Sequence, residues 1–382
     1  MNTKQTDLAY VANTYGRFDV ALQQGFGATY TDEDGKKYID FGSGIAVNTF
    51  GTCDPEWTAA VTDQLNRMGH VSNLYYTAPQ AQLARMLCEK TGMKKVFFGN
   101  SGAEANECAL KIARKYGGAT GRSTIVTLKS SFHGRTIATL AATGQDKFHE
   151  HFGPFPQGFR YITPGDEAEL IAVLTSGHAC GLLMEVVQGE GGVNVLDKSY
   201  VQLAEKLCRE NDILFMIDEV QTGNGRTGKL YGYMHYGVQP DVFTTAKGLA
   251  GGLPMGVCLM GEKAEHVLAK GDHGSTFGGN PICAAGAVNV LSRLTDDLLA
   301  DVAAKGEYIR KELEDHPGVK SITGLGLMLG IATEKPNTQI TADCLRDGLL
   351  VLTAKDKVRL LPPLNISFDE LRQGIAILKK NL

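Results

Sequence analysis

Apolar residues recur along this chain at two different spacings, and the switch between them outlines the architecture. Residues 27–31 and 37–41 alternate around the turn Asp32-Glu33-Asp34-Gly35, which predicts a hairpin in a short N-terminal meander. From about residue 51 the spacing changes to three and four, which predicts helices over 56–68 and 81–91. Short apolar runs rich in β-branched residues then predict strands at 95–98, 124–128, 159–162, 181–187, 213–217, 242–246 and 257–260. Helical patterns at 103–116 and 200–208 fall between them. Strands of this kind separated by helices imply an α/β fold, a mostly parallel sheet covered on both faces. After the turn-rich stretch 274–281, a long apolar helix over 282–294 leads into a smaller C-terminal α/β unit. That unit has a helix at 300–313, strands at 327–331 and 358–361, and a closing helix from Asp369. The expected organisation is an arm and meander over 1–50 packing with the small domain, a large domain over 51–282, and a connecting helix with the small domain over 283–382.

With 382 residues the chain can bury ample core. Hydrophobic residues make up 43% and charged ones 21%, which gives no signature of disorder. A net charge of -4 without basic clusters argues against nucleic acid or a membrane surface as partner. The N-terminus has no apolar signal segment, and no run reaches the ~18 apolar residues of a membrane span. The eight cysteines are scattered without a C-x-x-C pair or zinc-ligand spacing, so the expectation is a cytoplasmic protein with reduced thiols and no metal.

The chemistry gathers at strand ends. The 213–217 run stops at Asp218 and Glu219, and the 242–246 run stops at Lys247, which glycines follow. Taken singly, each would read as a solvated charge. In open α/β sheets, however, ligands sit at the carboxyl ends of the strands. An acid and a lysine delivered there together fit pyridoxal 5'-phosphate (PLP), whose aldehyde a lysine holds as a Schiff base and whose ring nitrogen pairs with a carboxylate. Between them, Gly223, Gly225 and Gly228 spell G-x-G-x-x-G and most of a P-loop. Leu230 stands where a P-loop needs serine or threonine, and no regular amphipathic helix follows, so these are turn glycines. The strand at 95–98 runs through Gly99-Asn100-Ser101-Gly102 into a helix, where free N–H groups and the helix dipole favour a phosphate; Ser101 serves equally as an ordinary cap.

The segments GNSGAEANECALKIAR, SSFHGRT, MEVVQGEGG, MIDEVQTGNGRTG, TTAKGLAGGLPMG and STFGGNP follow one another through the chain. Together they resemble the class III PLP-dependent aminotransferases, of the aspartate-aminotransferase fold (fold type I). The resemblance implies that Lys247 is the Schiff-base lysine and Asp218 the partner of the ring nitrogen. It further implies Gln221 on the ring hydroxyl, Phe132 stacked on the ring, and Ser101, Gly102 and Ala103 around the phosphate, with Thr276 completing that cup from a neighbouring subunit. A homodimer with its site at the subunit interface is expected on this ground alone. For substrate, the resemblance implies Arg135 on the distal carboxylate and Arg359 on the α-carboxylate of 2-oxoglutarate or glutamate. Glu190 would mask Arg359 when the ω-amine is bound, Glu185 would support that pair, and Tyr15 and Ser275 would line the same pocket. The implied reaction moves the δ-amino group of N2-acetylornithine to 2-oxoglutarate, a step of arginine biosynthesis. Succinylornithine, ornithine or 4-aminobutyrate as donor, an aminomutase, and a catalytically idle PLP-binding protein are the alternatives.

The chain departs from the family pattern at Thr52 and Asp54, where histidines are frequent, at Ala103 for threonine, and at Val186 for proline. None of these removes a group that the chemistry requires. The changes near Thr52 bear on which substrate enters.

Overall fold

A computed structural model describes residues 1–382. Its centre is a seven-stranded sheet in the order Lys95–Gly99, Gly256–Met260, Val242–Thr245, Leu214–Asp218, Ala179–Met184, Thr124–Leu128, Phe159–Ile162. Six strands are parallel and Gly256–Met260 alone runs against its neighbours. The reason is the connection. Only residues 246–255 separate Val242–Thr245 from Gly256–Met260, too few for the crossover that a parallel return needs, so the chain doubles back. The middle strands are buried along their whole length, which explains their unbroken apolar runs.

The helix Gly102–Gly118 packs on this sheet through Ala105, Cys108, Ala109, Ile112 and Ala113. Lys198–Glu210 covers the other face through Tyr200, Val201, Ala204, Leu207 and Cys208. The predicted strand at 181–187 is shifted: it runs Ala179–Met184, and Val187–Gln188 pairs separately with Asn194–Val195. The interruption falls at Glu185, whose carboxylate accepts backbone N–H groups and turns the chain. No helix is long and apolar enough to cross a membrane.

Two smaller sheets flank the centre. The N-terminal meander Leu22–Phe26, Thr29–Asp32, Lys37–Asp40 takes Leu349–Leu350 as its fourth strand, parallel to Lys37–Asp40. The other sheet orders Val319–Leu325, Met328–Thr333, Lys357–Leu360 and Leu352–Ala354. The segment after Lys357–Leu360 is fastened to the rest of the molecule at nearly every peptide group. Leu361 N donates to Phe41 O at 2.6 Å and Leu364 N to Thr49 O at 2.8 Å. Arg226 Nη1 donates to Leu327 O at 3.1 Å and Pro362 O at 2.5 Å, and Lys305 Nζ to Leu364 O at 3.2 Å. Arg226 is buried among carbonyls, and desolvation pushes its guanidinium down to about 9 despite the opposing Asp40. Arg226 belongs to the turn-glycine stretch, and it explains that stretch's shape. It binds the C-terminal unit to the loop that follows Asp218.

Asp54 also finds a purpose here. It caps the helix Pro55–Arg67 by accepting Trp57 N at 2.9 Å, and it takes Arg293 in a two-point bond at 2.5 and 3.0 Å. A histidine at this position could not make that fork.

Candidate active site

The carboxyl ends of the parallel strands open on a cavity of about 480 Å³. Register puts Asp218 beside Thr244 and one residue beyond the Ile217–Met184 pair, so Asp218, Glu185 and Lys247 leave adjacent strands side by side. Ser101, Gly102, Ala103, Phe132, Arg135, Glu185, Glu190, Asp218, Gln221 and Lys247, all expected from the sequence, share its wall.

Asp218 is 4% exposed and fully engaged. Its Oδ2 accepts Asn106 Nδ2 and His133 Nδ1, each at 2.8 Å, and its Oδ1 accepts Val220 N at 2.9 Å. Asn106 in turn donates to His133 O at 2.8 Å and accepts Thr244 Oγ1 at 2.7 Å. A carboxylate held by this many fixed donors cannot swing. Sequence reasoning missed Asn106 and His133 as parts of the site. The available signal was an asparagine on the otherwise apolar face of the Gly102–Gly118 helix.

Lys247 opens the turn after Val242–Thr245 with its amine in the cavity. Desolvation first, and then the Arg359 charge, push that amine down to about 8, against the pull of Asp218, Glu185 and Glu190. Glu185 moves the other way, to about 7, chiefly through burial. Both charge states of each group are therefore within reach near neutrality.

At the opposite wall, Ser101 Oγ accepts Glu104 N at 3.2 Å and caps the Gly102–Gly118 helix. The first N–H groups of that helix have no intrahelical acceptor. Gly102 permits a close approach there, since a Cβ would come within 2.8 Å of Val220 Cγ1. Phe132 stands edge-on to Phe148 at 5.6 Å, and the Arg135 guanidinium lies over both rings at 5.5 and 4.8 Å.

Four expected residues, Arg359, Ser275, Thr276 and Tyr15, do not line the cavity, and Glu185 and Glu190 line it without pairing with Arg359. Arg359 lies just behind it: buried, its Nη1 donates to Gln221 Oε1 at 3.3 Å and its Nε has no partner. Glu190 does not ion-pair with Arg359; its ion pair is with Lys147, at 3.9 Å. It is nonetheless near enough to oppose the burial that lowers the Arg359 pKa. Glu185 bonds the backbone of Phe132 and Gly189 at 2.9 and 3.2 Å rather than Arg359. Ser275 Oγ accepts Asn100 Nδ2 at 3.1 Å at the margin, Thr276 is exposed on the same loop, and Tyr15 is 70% exposed on the N-terminal arm.

The chain matches the family described as Aminotransferase class-III over residues 10–382. It belongs to that family. It is 50% identical to an acetylornithine aminotransferase of Haemophilus ducreyi, over 99% of this chain and 98% of that protein. It is 43% identical to an acetylornithine aminotransferase of Bacillus subtilis, over 96% of each. Among solved structures it is similar to the N-acetylornithine aminotransferase of Stenotrophomonas maltophilia (TM-score 0.85, 33% identity, covering 99% and 97%). It is also similar to an ornithine aminotransferase of Toxoplasma gondii that holds PLP at partial occupancy in its active site (TM-score 0.94, 31% identity, covering 99% and 93%).

PLP is the cofactor that class-III aminotransferases imply, and the fold is their fold type I. The residues present fit that group. The cavity offers the Lys247 amine, the immobilised Asp218 carboxylate, an aromatic wall and the first N–H groups of a helix, which is the donor and acceptor set that an aldehyde, a ring nitrogen, a ring face and a phosphate require. One expectation tests the buried amine directly. Only a neutral amine bonds an aldehyde, so the rate at which apoprotein takes up PLP should rise through about pH 8. An ordinary lysine would place that rise near ~10.4. Stopped-flow absorbance across pH distinguishes the two.

Proposed function

We propose that this class-III aminotransferase moves the δ-amino group of N2-acetylornithine to 2-oxoglutarate, giving N-acetylglutamate 5-semialdehyde and glutamate. The placement of Lys247, with its lowered amine pKa, beside the immobilised Asp218 in one cavity carries the reaction class. The donor follows from the relatives that bear the acetylornithine name along the whole chain.

Bound PLP supplies the sink for the electrons left when a C–H bond breaks. Lys247 would hold the cofactor and, once free, use Nζ to take the proton from the δ-carbon of the donor. Asp218, unable to move, would keep the ring nitrogen protonated. Gln221 would meet the ring hydroxyl and Phe132 the ring face. Ser101, Gly102 and Ala103 would cup the phosphate. Arg135, open to solvent beside Phe132 and Phe148, would receive the carboxylate far from the reacting carbon. Arg359, whose unpartnered buried Nε leaves a donor to satisfy, would receive the α-carboxylate of the keto acid.

Glu190 stands between Lys147 and the Arg359 field, and as the gate it would turn toward Arg359 when the donor occupies the site. Glu190→Gln should therefore slow the acetylornithine half-reaction about 10-fold or more and the glutamate half-reaction far less. Single-turnover absorbance measures both halves; equal losses remove the gate.

The homodimer belongs to the same reading. Thr276 and Tyr15 face solvent, and the loop bearing Leu74, Tyr75 and Tyr76 exposes three large apolar side chains. Asn73 ties that loop to the Thr276 loop through Ser275 O at 3.2 Å and Gly278 O at 2.9 Å. A second copy would cover this surface and bring Thr276 to the phosphate end of the partner's cavity. Sedimentation should find two 41.0 kDa chains together.

The ornithine aminotransferase likeness favours ornithine as the second candidate donor. The deciding experiment mixes PLP-loaded protein with one amine at a time and no keto acid. Bleaching of the visible band by N2-acetylornithine, and much more slowly by ornithine, is the expected result. The reverse order overturns the substrate and keeps the reaction class.

A further inference from the structure

Lys247 has φ of 44°, in the left-handed region that a lysine rarely occupies. Such strain persists only where the surroundings enforce it. A flip of the Ala246–Lys247 peptide would relieve it, and that flip has to move the Ala246 carbonyl. Asn224 Nδ2 donates to this oxygen at 3.0 Å, and to Thr245 Oγ1 at 3.0 Å as well. The Leu249 N–H closes the turn on the same carbonyl, at 3.0 Å. Downstream, Thr49 Oγ1 donates to Gly248 O at 2.6 Å.

Both side chains are almost wholly enclosed, Thr49 at 2% and Asn224 at 4% exposure. Two details show that these contacts are built in. The Asn224 amide leaves its own Oδ1 buried without a partner, so its orientation serves the two N–H bonds to the lysine turn. Residue 248 is a glycine, and a Cβ there would meet Thr49 Oγ1 at 2.6 Å. Thr49 also accepts Leu364 N at 2.8 Å through its carbonyl. One residue thus links the lysine turn to the segment that follows Arg359.

We propose that Thr49 and Asn224 are positioning residues that hold Lys247 in its left-handed conformation and so keep its amine at the buried end of the cavity. The inference rests on Lys247 as the cofactor-bearing lysine. The charged groups that face the amine are Arg359, Asp218, Glu185 and Glu190. None of them is altered by replacing Thr49 or Asn224, so a change in the amine's titration reports its position.

The test follows PLP uptake by apoprotein against pH, together with melting temperature, kcat and KM. Thr49→Val removes the donor at nearly constant shape, and Thr49→Ser keeps it. Asn224→Gly removes the amide at a position whose φ of 58° suits glycine, so it carries the test if Thr49→Val does not fold. Thr49→Val and Asn224→Gly should each raise the uptake midpoint by about 0.5 pH unit or more, as the amine gains water. Each should lower kcat roughly 10-fold with little change in KM. Thr49→Ser should restore both quantities. A wild-type midpoint in Thr49→Val and Asn224→Gly overturns the proposal, as does a Thr49→Ser protein that behaves like Thr49→Val. Lys247→Ala separates the two levels. If it retains the pH-dependent uptake, the lysine assignment fails. If it still binds PLP but loses that pH dependence, while the other variants keep the wild-type midpoint, only the positioning inference fails.

Discussion

Lys247→Ala is expected to lower turnover by at least about 10³-fold while PLP still binds. The magnitude follows from what the side chain is asked to do. It holds the cofactor and it moves the proton, and a positioned general base alone contributes about 10²- to 10⁴-fold. Binding should survive because the remaining wall is intact: the Asp218 network, the Phe132 face and the helix N-terminus at Gly102 do not depend on the lysine. Truncation to alanine also frees space beside Asp218 and Glu185. Small primary amines should therefore restore part of the activity, more strongly as pH rises and more of the added amine is neutral. Retained turnover without added amine, followed by the usual steady-state assay, would remove Lys247 from the chemistry.

Much of this arrangement was legible in the sequence because the parallel sheet is buried on both faces. Its strands at 213–217 and 242–246 read as apolar runs, so the charges that end them, Asp218 and Lys247, stood out. The strand Val319–Leu325, which mixes exposed and buried positions, carried no such signal, nor did the two residues of Leu349–Leu350. Ile137–Ala142 and Glu167–Leu174 are too short for a helical period to declare itself. The direction of Gly256–Met260 is set by the length of its connection, which no local pattern shows. The same limit applied within the site. Asn106 and His133 matter through Asp218, which lies 112 and 85 residues away in the chain, and only the fold brings them together. Arg226 was hidden in another way: its partners are the carbonyls of Leu327 and Pro362, and backbone acceptors leave no trace in side-chain identity.

The Asp218 network yields the second large effect. Asp218→Asn should lower kcat about 10²- to 10⁴-fold and also destabilise the fold, and the two losses have separate causes. The carboxylate accepts three hydrogen bonds, from Asn106 Nδ2, His133 Nδ1 and Val220 N, at 2.8, 2.8 and 2.9 Å. An asparagine has one oxygen to offer. If that oxygen faces Asn106 and His133, its amide confronts the Val220 N–H. If it faces Val220, its amide confronts two donors. Either way a buried donor loses its acceptor, at a cost of about 1–3 kcal/mol. The catalytic loss is independent of that cost: a neutral amide cannot hold a proton on the ring nitrogen, so the cofactor would accept electrons poorly even when bound. Asn106→Ala should reproduce part of the destabilisation and little of the kcat loss, because it leaves the charge in place with His133 and Val220 still bonded. Thermal melts of the apoproteins and single-turnover rates of the loaded ones read the two effects apart. Asp218→Asn and Asn106→Ala proteins with the same kcat would mean that the carboxylate acts only through packing.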